Sequence, residues 1–268
     1  MKNIAHTKTV DWPLDRVIAI LRTQDQVEGL LIIGSLAEKT FTPASDYDLV
    51  IILKEGEQAW YVGVTQIDGH FTDLIFVATS ALEQILELNA PVAQDHKLAP
   101  MIPWLQQGNI LFDRSQRIQQ AQTKLRSGTW VQPLNDTDAY GAWFAINYNL
   151  AQAKRMAQAR DDLYQTTVGI RMAVYGHTDI WFGYFTIRKL AWRGDKEAVK
   201  YLMQFDPTFL TVYQQLINET ALAPKLLLYE KAAALATAPL GGLWTENTTV
   251  MNIEQAIQTW QTLMGSTL

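Results

Sequence analysis

Leu30-Leu31-Ile32-Ile33-Gly34-Ser35 opens a stretch that runs through a polar loop to Ser45-Asp46-Tyr47-Asp48-Leu49-Val50-Ile51-Ile52-Leu53. Two apolar runs of strand length, rich in Ile, Leu and Val, thus enclose a Gly-Ser turn and a pair of aspartates. Side chains alternate along an extended strand, so Asp46 and Asp48 share one face, about 7 Å apart along the backbone, with Tyr47 on the other. Aspartate is disfavoured in strands and costly to bury unpaired. A hard divalent cation, magnesium, is the natural partner for two of them at the mouth of an apolar run. Gly34 lets the backbone bend close around an anion, and Ser35 adds a hydroxyl and an amide able to hold a polyphosphate at the head of the short segment 36–40. Lys39, in the same segment, joins Gly34 and Ser35 as a nucleotide-binding candidate. A surface turn explains Gly34-Ser35 alone, and strand capping explains the aspartates alone; neither explains why the two occur together.

A third acid follows. Phe71-Thr72-Asp73-Leu74-Ile75-Phe76-Val77 is strand-like, with Asp73 as its only charge, and comes after Asp68-Gly69, a hairpin turn signal behind the run from Ala59 to Ile67. Asp73 is therefore a further candidate site residue. A lone charge guarding an edge strand is the plainer alternative.

Apolar strand, Gly-Ser, spacer and Asp-x-Asp, carried here by Gly34, Ser35, Asp46 and Asp48, resembles the nucleotidyltransferase superfamily of the DNA polymerase beta type. The third strand acid of that pattern falls at Asp73. The resemblance implies an α+β fold, with an N-terminal nucleotidyltransferase domain (residues 1–127) built on a small mixed sheet flanked by helices, then an all-α helical bundle (128–268). It implies that Asp46, Asp48 and Asp73 are catalytic and metal-binding, with two magnesium ions and a nucleoside triphosphate, ATP. Asp73 serves as metal ligand or general base, and the two roles stay open. Relatives such as aminoglycoside and lincosamide nucleotidyltransferases share the two-domain plan and imply transfer of a nucleoside monophosphate to a small-molecule hydroxyl, releasing pyrophosphate. Nucleotidylation of a protein partner, as in antitoxin-like relatives, and non-catalytic nucleotide binding are the competing readings.

Composition narrows the partners. The 268 residues are 48% hydrophobic and 18% charged, as in an ordinary globular protein, with no apolar run of membrane-spanning length. Residues 1–11 lack the basic-then-apolar order of a secretion signal, so a cytoplasmic protein is expected. Without cysteine, thiolate metal sites and cysteine nucleophiles are excluded, and His6, His70, His96 and His177 show no metal-ligand spacing. The net charge is −5 and no Lys/Arg run is present, which argues against long DNA or RNA. Residues 1–127 carry 15 acids against 11 bases, and residues 128–268 carry 12 against 11. The acidic excess near the site favours cationic or neutral acceptors, taken up by a monomer or homodimer.

Apolar spacing predicts helices over Asp11–Leu21, Ser80–Leu88 with Ser80 and Glu83 as a capping box, and Ser115–Arg126. Pro100 and Pro103 are expected to interrupt the chain between them. Gly108–Asp113 reads as a further edge strand. Beyond a Gly, Pro, Asn and Asp-rich boundary at 127–138, helices are expected at Asp138–Ala159, Asp161–Tyr175, Thr178–Trp192, Asp195–Met203, Pro207–Ile217, Pro224–Leu235 and Thr249–Met264. Trp181, Phe185, Arg188 and Trp192 then share a stripe, with Gly194 as helix stop. Arg188 is the nucleotide-binding candidate of this half, reaching for the triphosphate, unless its stem simply packs. Arg171 is a weaker candidate.

Overall fold

A computed structural model describes residues 11–55, 60–245, 249–252 and 256–264. Residues 1–10, read above for targeting signals, and Ala59 lie outside them. The chain divides into two compact units, one ending at Gln132 and the other starting at Pro133. That division comes a few residues after Ser127, because Val92 N–H donates to Trp130 O and Gln132 N–H to Val92 O, binding 130–132 to the first unit.

In the first unit the order is α1 (Leu14–Thr23), β1 (Val27–Ile33), α2 (Gly34–Ala37), β2 (Tyr47–Leu53), β3 (Trp60–Ile67), β4 (His70–Ala78), α3 (Thr79–Glu87), α4 (Met101–Gln107), β5 (Asn109–Asp113) and α5 (Arg117–Leu125). The five strands form one mixed sheet in the order β3-β4-β2-β1-β5. Only β2 and β4 run parallel; the other pairs are antiparallel. Alternation sends each strand's side chains to two cores. Leu31, Ile33, Val50, Ile52, Ile75 and Val77 pack with α3, α4 and α5. On the opposite face, Leu30, Ile32, Leu49 and Ile51 meet Leu14, Val17, Ile18 and Leu21 of α1. The β3–β4 turn takes left-handed backbone at Asp68 (φ 53°) and Gly69 (φ 74°), matching the twist of its strands.

Two local expectations are corrected here. Ser80 does not cap α3: β4 runs straight into the helix, Ser80 falls in its first turn without capping it, and Glu83 instead pairs with Arg117 at 3.0 Å. Nor do the prolines break the chain. Pro100 precedes α4 and Pro103 sits in its first turn, where an amide would have no helical acceptor anyway.

In the second unit the helices are α6 (Asp136–Ala157), α7 (Asp162–Tyr175), a π-helical turn (Gly176–Trp181), α8 (Phe182–Ile187), α9 (Asp195–Phe205), α10 (Pro207–Asn218), α11 (Leu222–Thr237) and α12 (Ala256–Met264). Asn135 caps α6 through a reciprocal box with Asp138, and Asp161 caps α7. Residues 249–252, expected at the head of the last helix, are not helical.

The expected helix to Trp192 ends at Ile187. Lys189 turns left-handed (φ 55°), its N–H donates to Thr186 O, and Leu190 N–H donates to Phe185 O. This Schellman closure breaks the stripe, although Trp192 still reaches Phe182 at 4.4 Å between ring centroids. Gly194 (φ 95°) consequently precedes α9 and does not stop a helix. Among the described residues, no helix is long and apolar enough to cross a membrane.

Candidate active site

The rows of side chains that are apolar beneath α3–α5 turn acidic at the end of the sheet. Asp48 continues the row of Val50 and Ile52, and Asp73 continues that of Ile75 and Val77. The parallel register sets Asp48 directly beside Asp73, on strands about 4.8 Å apart. Two residues before Asp48, Asp46 stands close enough for its charge to act on Asp73. Partial burial first, and that charge second, raise the Asp73 carboxyl above its ordinary 3.8. The structure therefore brings Asp46, Asp48 and Asp73 to one end of the sheet, with Asp48 and Asp73 on one face.

On the other side of Asp48 lies the turn from β1 into α2. Ile33 is the register partner of Asp48, and Gly34 follows with φ 66°. A Cβ built on Gly34 would fall 2.3 Å from Asp48 Oδ2. Two constraints thus require glycine here: left-handed backbone and contact with a carboxylate. We expect Gly34→Ala to displace that carboxylate at a strain of about 1–2 kcal/mol, weakening magnesium–ATP binding about tenfold. Titration calorimetry of the variant checks this, and parental affinity would show that the turn does not shape the site.

Ser35 Oγ is buried and, among the described residues, has no hydrogen-bond partner. An orphan hydroxyl beside a carboxylate pair costs stability unless a ligand uses it. Lys39, also left-handed (φ 61°), lies exposed just past α2.

Asp46 is held in place by residues that sequence reading did not single out. Ser45 Oγ accepts from Thr42 N–H at 3.0 Å and Ser45 N–H donates to Thr42 O, closing a turn just before Asp46. His70 Nδ1 lies 2.9 Å from Ser45 O, and its ring packs with Phe41 and Tyr47 at centroid distances of 4.9 and 5.0 Å. Ser-Asp next to an aromatic residue was the visible signal, but His70 is 25 positions away in the chain.

As a test for a metal, the donor set is all oxygen, which suits magnesium. Among the described residues no group of three His, Cys, Asp or Glu side chains is arranged to hold an ion. A three-carboxylate cage is not prebuilt. That arrangement is nevertheless compatible with magnesium, which commonly takes one or two carboxylates and completes its shell with water and substrate phosphates. With Gly34 pressed on Asp48 and Ser35 unsatisfied, these residues fit the ion in company with a phosphorylated substrate.

Asp113, Arg188 and Arg171 each make contacts within their own unit. Asp113 sits beside Gly29, at the sheet end away from Asp48, where Oδ2 accepts from Gln119 N–H at the start of α5. Arg188 donates to Tyr184 O, Ala236 O and Leu235 O at 3.2, 3.0 and 3.1 Å, with its guanidinium 3.6 Å from the Tyr184 ring centroid. It ties the last carbonyls of α11 to α8. Arg188→Ala is expected to destabilise the protein by about 2–3 kcal/mol, read from denaturant unfolding. An unchanged midpoint with a raised nucleotide KM would return Arg188 to nucleotide binding. Arg171 donates to Asn149 Oδ1 and stacks on Tyr175, again within the helical unit.

Among solved structures, a nucleotidyltransferase-like protein from Exiguobacterium sibiricum 255-15 aligns over 84% of this chain and 76% of its own, with 14% identity and a TM-score of 0.38. No curated protein matches the sequence. Residues 15–117 match the family model described as polymerase beta, nucleotidyltransferase, a span that holds all five strands and the three aspartates. The first unit is thus a nucleotidyltransferase domain of the polymerase beta family, whose general chemistry is nucleotidyl transfer.

Proposed function

We propose that the protein transfers a nucleoside monophosphate from magnesium-bound ATP to a hydroxyl of a small molecule, of the aminoglycoside or lincosamide kind, releasing pyrophosphate. The observation that supports this is the juxtaposition at one sheet end: Asp48 in register with Asp73, Asp46 acting on it, and the Gly34-Ser35 turn packed on Asp48.

In this reading the Ser35 hydroxyl and neighbouring amides position the outer phosphates, and Lys39 offsets their charge. Asp46 and Asp48 would hold the metal, which when bound neutralises charge on the phosphates. Asp73 either completes the metal site or takes the proton of the acceptor hydroxyl. The hydroxyl oxygen forms a bond to the alpha phosphorus as the bond to the bridging oxygen breaks, and pyrophosphate leaves.

The test incubates the protein with magnesium, ATP labelled at the alpha phosphate, and a panel of aminoglycosides, lincosamides and cell-extract metabolites. Label on a small molecule with matching pyrophosphate is expected. Label confined to a polypeptide would favour a protein acceptor, and no magnesium-dependent turnover would oppose catalysis.

A further inference from the structure

Resting on that reading of the site, we propose that an exposed apolar ledge of Val62, Val64 and Phe71 beside Asp73 seats the acceptor. The acceptor then carries its hydroxyl on an apolar or aromatic frame with at most one positive charge, unlike a polycationic amino sugar.

The pairing register orders the groups across the sheet. Ile33, with Gly34 next to it, pairs with Asp48; Asp48 pairs with Asp73; Asp73 pairs with Val64 on the outer strand β3. Paired residues share a face, so the turn, the two acids and Val64 form one line across four strands. In phosphoryl transfer the attacking and leaving oxygens stand roughly in line about phosphorus. With pyrophosphate held at the Gly34-Ser35 end, the hydroxyl approaches from the opposite end, over β4 and β3.

The approach there is apolar and open. Val62 is 50% exposed, Val64 63% and Phe71 55%, whereas Ile75 and Val77 on the same row are buried beneath the helices. Val62 pairs with Ile75, and Phe71 lies two residues before Asp73, so all three surround Asp73 on its own face. Branched apolar side chains exposed on an edge strand invite unwanted association, and proteins usually place charge at such positions. None of these three positions is charged. A groove of ≈ 290 Å³ runs along the end of the ledge, lined by Asp11, Val64, Thr65, Gln66 and Phe71. Gln66, on the same face as Val64, can orient a neutral polar group. Among the described residues Asp11 is the one carboxylate lining the groove, and its Oδ1 already accepts from Gly69 N–H at 3.2 Å. One partly engaged carboxylate suits a single amine and not several.

The test offers the full chain, with magnesium and alpha-labelled ATP, three probes: lincomycin, 3-phenyl-1-propanol and kanamycin. Label is expected on one or both of the first two. In Val64→Lys the acceptor KM should rise at least about tenfold, with the change in KM and not in kcat, and Val64→Ile should restore it. Label on kanamycin alone, label on none of the three, or an acceptor KM indifferent to Val64→Lys overturns the proposal. So does a dimer of the parent that Val64→Lys dissociates without moving the acceptor KM, since the ledge would then be a contact between copies. Calorimetric binding of magnesium–ATP to the same parent sample separates the two readings. If it is absent, nucleotidyl transfer itself fails; if it is present alongside any overturning result, only the ledge fails.

Discussion

Asp48→Ala is expected to lower the rate of nucleotide transfer at least about a thousandfold while the protein still unfolds cooperatively. The rate effect follows from the place of Asp48 between the Gly34 turn and Asp73, where the proposed metal would bridge protein and phosphates. Losing such charge stabilisation costs several kcal/mol of the barrier, and each 1.4 kcal/mol is about a factor of ten. The fold should survive because Asp48 lies at the end of the sheet, beyond the apolar rows that hold α3–α5. Asp46→Ala should behave alike. Pyrophosphate release and thermal unfolding, measured on the same preparations, check both halves. A variant that turns over at the parental rate would refute the metal-holding role, and one that fails to fold would show that the carboxylate is structural.

Asp73→Asn is expected to lose activity and gain stability. As general base, Asp73 would supply a factor of about 10²–10⁴, and as metal ligand a loss of similar size follows. Its stability effect follows from proton linkage. Burial, aided by Asp46, raises the folded-state carboxyl above its ordinary 3.8. Between the ordinary and the raised value the folded protein therefore binds more protons than the unfolded chain, and stability falls as pH rises through that window. Above the raised value the penalty is fully present; below the ordinary carboxylate value it is gone. Asparagine removes the penalty, so in metal-free buffer its unfolding midpoint should exceed that of the parent at pH 7, with the advantage shrinking as acid protonates Asp73 in the parent. Magnesium with nucleotide should also narrow the gap by neutralising the cluster. A variant less stable than the parent at pH 7 would mean that the charged carboxylate is held by favourable contacts.

What the sequence made legible follows from chain-local physics. The five strands announce themselves as short apolar runs and the hairpin by the turn chemistry of Asp68-Gly69, and Asp46 and Asp48 are expected on one face because side-chain alternation has a period of two. The place of Asp73 beside Asp48 required β2 and β4 to pair in parallel register, which spacing along the chain does not specify. The misread features depend on side chains distant in sequence. Lys189 ends α8 in a conformation that usually selects glycine, so periodicity alone ran the helix on to Trp192 and put Arg188 on an aromatic stripe. Pro103 looked like a breaker because its position within α4 could not be known. His70, which braces Ser45, and Val64, which lies across from Asp73, gain their roles only from tertiary pairing. The strand run from Trp60 to Ile67 had signalled nothing more than a hairpin.

The most direct measurement of the site is anomalous diffraction from crystals grown with manganese and a non-hydrolysable ATP analogue. One or two ion peaks are expected about 2.1 Å from carboxylate oxygens of Asp46 and Asp48, with phosphate oxygens completing each shell and the phosphate tail against Gly34-Ser35. Nucleotide density accompanied by ions that touch neither aspartate, or bound away from this sheet end, would contradict it.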